Sequence, residues 1–100
     1  MPCAAAHAHL EEAAPADGST LRESPTSLVL RFSEPARVTA LWIERRGGAK
    51  EKLTALPSEP QAQISVKLPK LEPGDYLVSF RVVGTDGHVV PGQIHFTLSR

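Results

Sequence analysis

Histidine and aspartate residues form two short clusters near opposite ends of the sequence. His7-Ala8-His9 follows a run of alanines near the start, and Asp86-Gly87-His88 separates two apolar runs near the end. Imidazole nitrogens and a carboxylate are donors that Cu(II) accepts in a tetragonal site. The β-rich pattern around these clusters needs none of them to fold, so metal binding is the simplest explanation for their presence.

The run Ala4-Ala5-Ala6 before His7 has the A-x-A form of a signal-peptide cleavage site. After such a cleavage the α-amine and Nδ1 of His7 can chelate one ion. An α-amine has an ordinary pKa of ~7.7–8.0, so Cu(II) can displace its proton near neutral pH. We therefore predict that residues 1–6 are a signal-peptide remnant or an appended tail, and that residues 7–100 form the exported domain.

Asp86 and His88 are spaced so that both side chains would leave the same face of an extended backbone. One ion could then contact both. The dipeptide Asp86-Gly87 is also typical of a type I′ hairpin turn, an interpretation that needs no metal. His7 favours the ligand interpretation, because the first strand and this loop can meet at one end of a β-sandwich.

Other polar residues are candidates for supporting roles. His9 is either a further ligand beside His7 or an ordinary surface histidine. Pro35 is predicted to end a strand and to leave Glu34 at a sheet edge, where the glutamate is either solvated or a partner that supports the ion. His95 alternates away from its apolar neighbours, so we predict that it faces solvent and takes no part in the site.

Short alternating apolar segments separated by 9 prolines and 7 glycines indicate an all-β domain. About seven strands are expected, as in an immunoglobulin-like Greek-key sandwich or barrel. The predicted strands are residues 9–13, 28–33, 38–44, 52–55, 64–68, 76–83 and 94–98. The segment from Leu71 to Tyr76 has the L-x-P-G-x-Y form of a tyrosine corner, in which the phenol hydroxyl bonds backbone upstream.

Length and charge limit the function. A chain of 100 residues suits one domain. Its 11 basic and 11 acidic residues argue against nucleic-acid binding, which needs clustered cations. No apolar run approaches the ~20 residues of a membrane helix, so no direct membrane insertion is expected.

Taken together, the motifs resemble the CopC family of periplasmic copper-resistance proteins. The resemblance implies a Greek-key barrel that binds one Cu(II) through the amine and ring of His7 together with Asp86 and His88, with Glu34 close to the metal in some members. Members are copper carriers, or domains beside a membrane copper-transport partner. The motifs are His7-Ala8-His9-Leu10, Pro15-Ala16-Asp17-Gly18, Leu30-Arg31-Phe32-Ser33-Glu34-Pro35, Leu71-Glu72-Pro73-Gly74-Asp75-Tyr76 and Asp86-Gly87-His88-Val89-Val90-Pro91-Gly92.

One departure from the family pattern concerns Cu(I). Some members bind this ion through a methionine-rich loop, whereas the only methionine in this sequence is Met1. We therefore predict one Cu(II) site in a monomeric, periplasmic carrier or store without catalysis, which hands copper to an inner-membrane transporter. The alternatives are an interaction module that binds no metal and a copper-dependent oxidase.

Overall fold

A computed structural model describes residues 9–99 of the chain, which form strands joined by turns and loops. The strands are β1 (Leu10–Ala14), β2 (Ser19–Leu21), β3 (Ser27–Arg45), β4 (Lys50–Lys52), β5 (Gln61–Lys67), β6 (Gly74–Gly84) and β7 (Val89–Leu98). Among the residues described, there is no helix with the length and apolar character needed to cross a membrane.

One curled sheet contains all seven strands. Its hydrogen-bonded order is β1-β3-β6-β7-β2, and β4 and β5 pair with β3 outside this path. The first half of the 19-residue strand β3 pairs with β1 and β5, and its second half pairs with β4 and β6. Because β3 is shared by these two sets of strands, the sheet curls over and encloses the core. The prediction of an all-β, Greek-key sandwich or barrel of about seven strands is confirmed.

The prediction that Pro35 ends a strand is wrong. Segments 28–33 and 38–44, predicted as separate strands, are both parts of β3. Pairing of β3 with β1 ends at Phe32, and its pairing with β6 begins at Ala36. Pro35 therefore lies between these two ladders and inside the irregularity that interrupts the pairing of β3 with β5, where the missing N–H of proline costs no strand hydrogen bond.

Two short strands also differ from the prediction. The sequence analysis missed β2, which runs parallel to β7 with Ser19 opposite Phe96. A strand of three residues is too short for apolar alternation to reveal it. Strand β4 is Lys50–Lys52 and not 52–55, because the turn at Gly47 (φ 78°) sends the chain back early enough for Lys50 to face Glu44.

The apolar side chains of the alternating segments lie inside the barrel. A bulge between Val38 and Ala40 shifts the pairing of β3 with β6, so the inward face passes from Val38 to Leu41. Trp42 consequently faces outward and is half-buried. The other aromatic residues are buried, as predicted. The core contains Leu28, Leu30, Phe32, Ala36, Val38, Leu41, Ile43, Leu53, Ile64, Val66, Leu68, Tyr76, Val78, Phe80, Val82, Ile94, Phe96 and Leu98.

The predicted tyrosine corner is confirmed at the start of β6. The Tyr76 hydroxyl donates to the carbonyl oxygen of Glu72 at 2.5 Å. Its ring, 5% exposed, stacks on Phe96 of β7 with 5.4 Å between centroids. The corner therefore fixes the base of the β6–β7 hairpin, whose opposite end carries Asp86 and His88.

Candidate metal site

The loop between β6 and β7 is a tight turn rather than extended chain. The Gly84 N–H donates to the His88 carbonyl at 3.2 Å, and the Gly87 N–H donates to the Gly84 carbonyl at 3.1 Å. Gly87 has a positive φ of 83°. Asp86 does not have a positive φ, because among the residues described only glycines do. The alternative interpretation of Asp86-Gly87 as a turn is therefore right about the turn, but the turn is not of type I′, which needs positive φ at both central residues. The turn is of the three-residue kind that ends on a left-handed glycine.

Asp86 and His88 contact each other across this turn. Asp86 Oδ1 accepts the His88 backbone N–H at 3.1 Å, and Asp86 Oδ2 lies 2.7 Å from His88 Nδ1. The Asp86 side chain is 18% exposed, and the His88 side chain is 66% exposed. The two side chains thus meet as the sequence predicts, but a turn brings them together and not the extended backbone assumed from their spacing.

His9 is held at the beginning of β1 by Ser33. The His9 N–H donates to Ser33 Oγ at 2.9 Å, and the Ser33 N–H donates to the His9 carbonyl at 2.8 Å. These bonds continue the β1–β3 pairing, which starts with Leu10 opposite Phe32. His9 is therefore held against the part of β3 that lies between its pairing with β1 and its pairing with β6.

Arg31 strengthens the attachment of β1 to β3. Its guanidinium contacts Glu12 Oε1 at 2.7 Å and Glu11 Oε1 at 3.4 Å. The hydrogen bond from Arg31 to Glu12, with the charges of Glu12 and Glu11, raises the pKa of Arg31. These groups are largely exposed, so solvent screening keeps their contribution to stability small.

Glu34 connects the same part of β3 to the candidate loop. Thr85 Oγ1 donates to Glu34 Oε1 at 3.3 Å. Thr85 directly precedes Asp86, and Ser33 directly precedes Glu34. Segments around His9, Ser33–Glu34 and Thr85–His88 therefore lie together at one end of the barrel.

The structure brings some of the predicted site residues into contact and links others only through neighbouring residues. Asp86 and His88 are in contact, while His9 and Glu34 are joined to neighbouring positions through Ser33 and Thr85. Within residues 9–99, no group of three or more His, Cys, Asp and Glu side chains has a metal-binding arrangement. His7 and the predicted tail of residues 1–6 lie outside the described residues, so the ligand set and the domain boundary remain predictions.

The sequence analysis gave no role to Ser33 and Thr85, which link the segments of the site. Both stand next to candidate ligands in the sequence, and Ser33 also lies inside a quoted motif. Small hydroxyl residues beside acidic or histidine residues are frequent in any β-rich chain, so this signal is weak. His95, predicted to face solvent, is exposed on β7, and its N–H donates to Asp17 Oδ1 at 2.8 Å.

Comparison with known proteins identifies the family. The sequence profile of the CopC domain family matches residues 10–99. The chain belongs to the CopC family. It is 34% identical over 103 residues to Protein YobA of Escherichia coli (strain K12), covering 98% of this chain and 82% of YobA. It is 27% identical over 100 residues to Copper transport protein CutJ of Bacillus subtilis (strain 168), covering 95% of this chain and 18% of CutJ.

A solved structure of CopC from Methylosinus trichosporium OB3b has the same fold. The TM-score is 0.76 at 29% sequence identity, covering 93% of this chain and 94% of that chain. The resemblance inferred from the motifs is therefore confirmed. Membership of the CopC family assigns the chain a copper-related function within a family of copper-binding and copper-resistance proteins, not of enzymes.

Proposed function

We propose that this chain is a periplasmic protein that carries or stores one Cu(II) and hands it to a copper transporter in the inner membrane. The observation that carries this proposal is the meeting of three segments at one end of the barrel, through the contacts of Ser33 with His9, Glu34 with Thr85, and Asp86 with His88. Two residues of chain span at most about 7 Å. His7 is thus within reach of this end, because Ser33 holds His9.

The proposed ligands are the amine and ring of His7 together with Asp86 and His88. A His88 ring that keeps its Nδ1 on Asp86 binds the ion through Nε2, and the carboxylate then fixes the tautomer of the ring. If the ion instead takes Asp86 Oδ2, the carboxylate becomes an oxygen donor in a plane otherwise filled by nitrogen. In both arrangements Glu34 holds the loop through Thr85 and adds negative charge beside the cation.

Transfer to a partner is supported by the exposure of the loop. The His88 side chain is 66% exposed at the end of a hairpin, so a second protein can approach the ion without opening the fold. One relative carries the name Copper transport protein CutJ, and the matched region covers 18% of its length. That match supports a domain of this kind working beside transport machinery.

Copper titration of two forms of the chain tests the proposal. A chain that begins at His7 is expected to bind one equivalent of Cu(II) with a nitrogen-rich, tetragonal electron paramagnetic resonance spectrum. The chain of residues 1–100 is expected to bind more weakly, because the residues before His7 block its amine and remove one chelate ring. Absence of the nitrogen-rich signal from the chain beginning at His7 contradicts the proposal.

His88→Ala is expected to lower the copper affinity by more than about tenfold. His95→Ala is the matched control, since His95 is exposed on β7, which follows the loop, and lies seven residues or roughly 23 Å from His88 at ~3.3 Å per residue. A competition assay with a chromophoric chelator measures both variants. Equal affinity of His88→Ala and the parent chain would favour an interaction module that binds no metal.

A further inference from the structure

The outer face of the sheet formed by β4, β3, β6 and β7 presents a tryptophan to the surface. Trp42 is paired with Lys52 on one side and with Ser79 on the other, and Ser79 is paired with Gln93. Directly paired residues share a face of the sheet. The bulge between Val38 and Ala40 is the reason that Trp42 lies on this face and not in the core.

Cationic side chains surround the Trp42 ring. Lys50 Nζ lies 5.1 Å, Lys52 Nζ 5.9 Å and Arg81 Cζ 5.6 Å from the centre of the ring. A cation over an indole face is attracted by the ring quadrupole. The three cations nevertheless repel one another, and within the described residues none of them forms an ion pair with a carboxylate. Glu44 is paired with Lys50 on the same face, so the three cations outnumber this carboxylate and the face stays positive although the formal net charge of the chain is +0.

The surface beside the ring forms a shallow, open groove. A groove of about 700 Å³ is lined by Trp42, Lys50, Ser79, Arg81, Pro91 and Gln93. We call it the Trp42 groove. Its walls combine apolar surface with cations, and Ser79 and Gln93 supply hydrogen-bonding groups. This combination suits a short, extended segment that carries carboxylates.

We propose that the Trp42 groove binds an acidic segment of a partner protein. Charge complementarity selects the ligand, because carboxylates would neutralise Lys50, Lys52 and Arg81. A bilayer fits this surface less well. An interfacial tryptophan places its ring among the lipid headgroups, whereas Trp42 is half-buried and has cations at its ring.

The Trp42 groove lies on the same hairpin as the candidate metal site. Arg81 and Pro91 face each other on the β6–β7 hairpin, whose loop carries Asp86 and His88. At ~3.3 Å per residue, Arg81 is roughly 13 Å from Thr85, the first residue of the loop. A partner in the groove would therefore lie beside the candidate metal site, although its binding does not require copper.

Trp42 emission tests the proposal directly, since it is the only tryptophan in the chain. The chain of residues 1–100 is titrated, with a chelator present, against a synthetic decapeptide of alternating Glu and Ala. We expect a saturable change in emission that weakens as salt increases. A decapeptide of alternating Lys and Ala is the control ligand and is expected to leave the emission unchanged.

Charge reversal on the groove locates the binding. Lys50→Glu and Arg81→Glu are each expected to weaken binding of the acidic peptide by about tenfold. Lys67→Glu is the matched control, because Lys67 is exposed on β5, which pairs with the other half of β3. An equal effect of Lys67→Glu, or no emission change with the acidic peptide, overturns the proposal.

Two further measurements separate this proposal from its alternatives. His88→Ala is expected to bind the peptide as the parent chain does, so a failure of copper binding leaves the groove untouched. Sedimentation with vesicles of anionic phospholipid tests for membrane binding. We expect that Lys50→Glu does not change the amount of protein that sediments with the vesicles. Binding to vesicles that depends on Lys50, without binding of the peptide, overturns the proposal in favour of a membrane surface.

Discussion

Ser33→Ala tests whether β3 positions the N-terminal segment of the candidate site. The substitution removes the acceptor of the His9 N–H bond at 2.9 Å but keeps the backbone bond at 2.8 Å from Ser33 N–H to the His9 carbonyl. Water replaces the lost partner at this exposed position, so the cost is about 0.5–1 kcal/mol, the lower part of the range for a protein hydrogen bond. This corresponds to about a 2–5-fold change in an equilibrium constant.

Two assays measure this effect independently. Without copper, the His9 amide is expected to exchange its hydrogen about 2–5-fold faster in Ser33→Ala. With copper, the Ser33→Ala variant of a chain beginning at His7 is expected to lose about the same factor in copper affinity. The reason is that the free energy of ordering the chain at His9 then reduces the free energy of copper binding. Ser65→Ala is the control, since Ser65 is exposed on β5 opposite Val29. Unchanged exchange at His9 refutes the positioning role, and a loss of copper binding by orders of magnitude refutes the stated size of the effect.

Two further predictions concern packing and protonation. Gly92→Ala would place a Cβ 2.2 Å from Cζ of the buried Phe80, so we expect a loss of about 1–3 kcal/mol, or roughly 4–8 °C in melting temperature per kcal/mol; Phe80→Leu should relieve part of it, and simple additivity of the two changes would contradict the clash. Copper affinity is expected to fall as the pH is lowered from about 7 to 5, because protons compete for imidazole and carboxylate donors; a flat pH profile in a competition titration would argue against imidazole ligands.

The sequence predicted the core of this fold because apolar alternation is a local property. Leu28, Leu30 and Phe32 alternate on one strand, and all are buried. The tyrosine corner was also predictable, since the Tyr76–Glu72 bond joins residues close in sequence. In these cases the physical cause lies within a few residues of its effect.

Features set by pairing between distant residues were not predictable in this way. The continuity of β3 through Pro35 depends on where the β1 and β6 ladders end, and neither end is marked in the local sequence. The bulge at Val38–Ala40 likewise follows from pairing with β6. It decides that Trp42 faces outward, which apolar alternation alone could not establish.

The candidate site shows the same division. The D-x-H spacing identified Asp86 and His88, but their contact comes from the left-handed conformation of Gly87. The links from Ser33 to His9 and from Glu34 to Thr85 join residues far apart in the chain. Residue types therefore predict which side chains could bind a metal, while the sheet determines which of them can meet.

The change of pairing partners of β3 from β1 to β6, between Phe32 and Ala36, explains why the site lies at this end of the barrel. Successive side chains of a strand point to opposite sides, so adjacent residues there can reach different neighbours. Ser33 bonds the beginning of β1, and Glu34 bonds the loop between β6 and β7. Residues 33–35 lie between the β1 and β6 ladders, so Ser33 and Glu34 are available for these contacts. For the same reason, Pro35 interrupts neither of the two ladders. The middle of β3 is thus the element that brings His9 and the Asp86–His88 turn to the same end of the barrel.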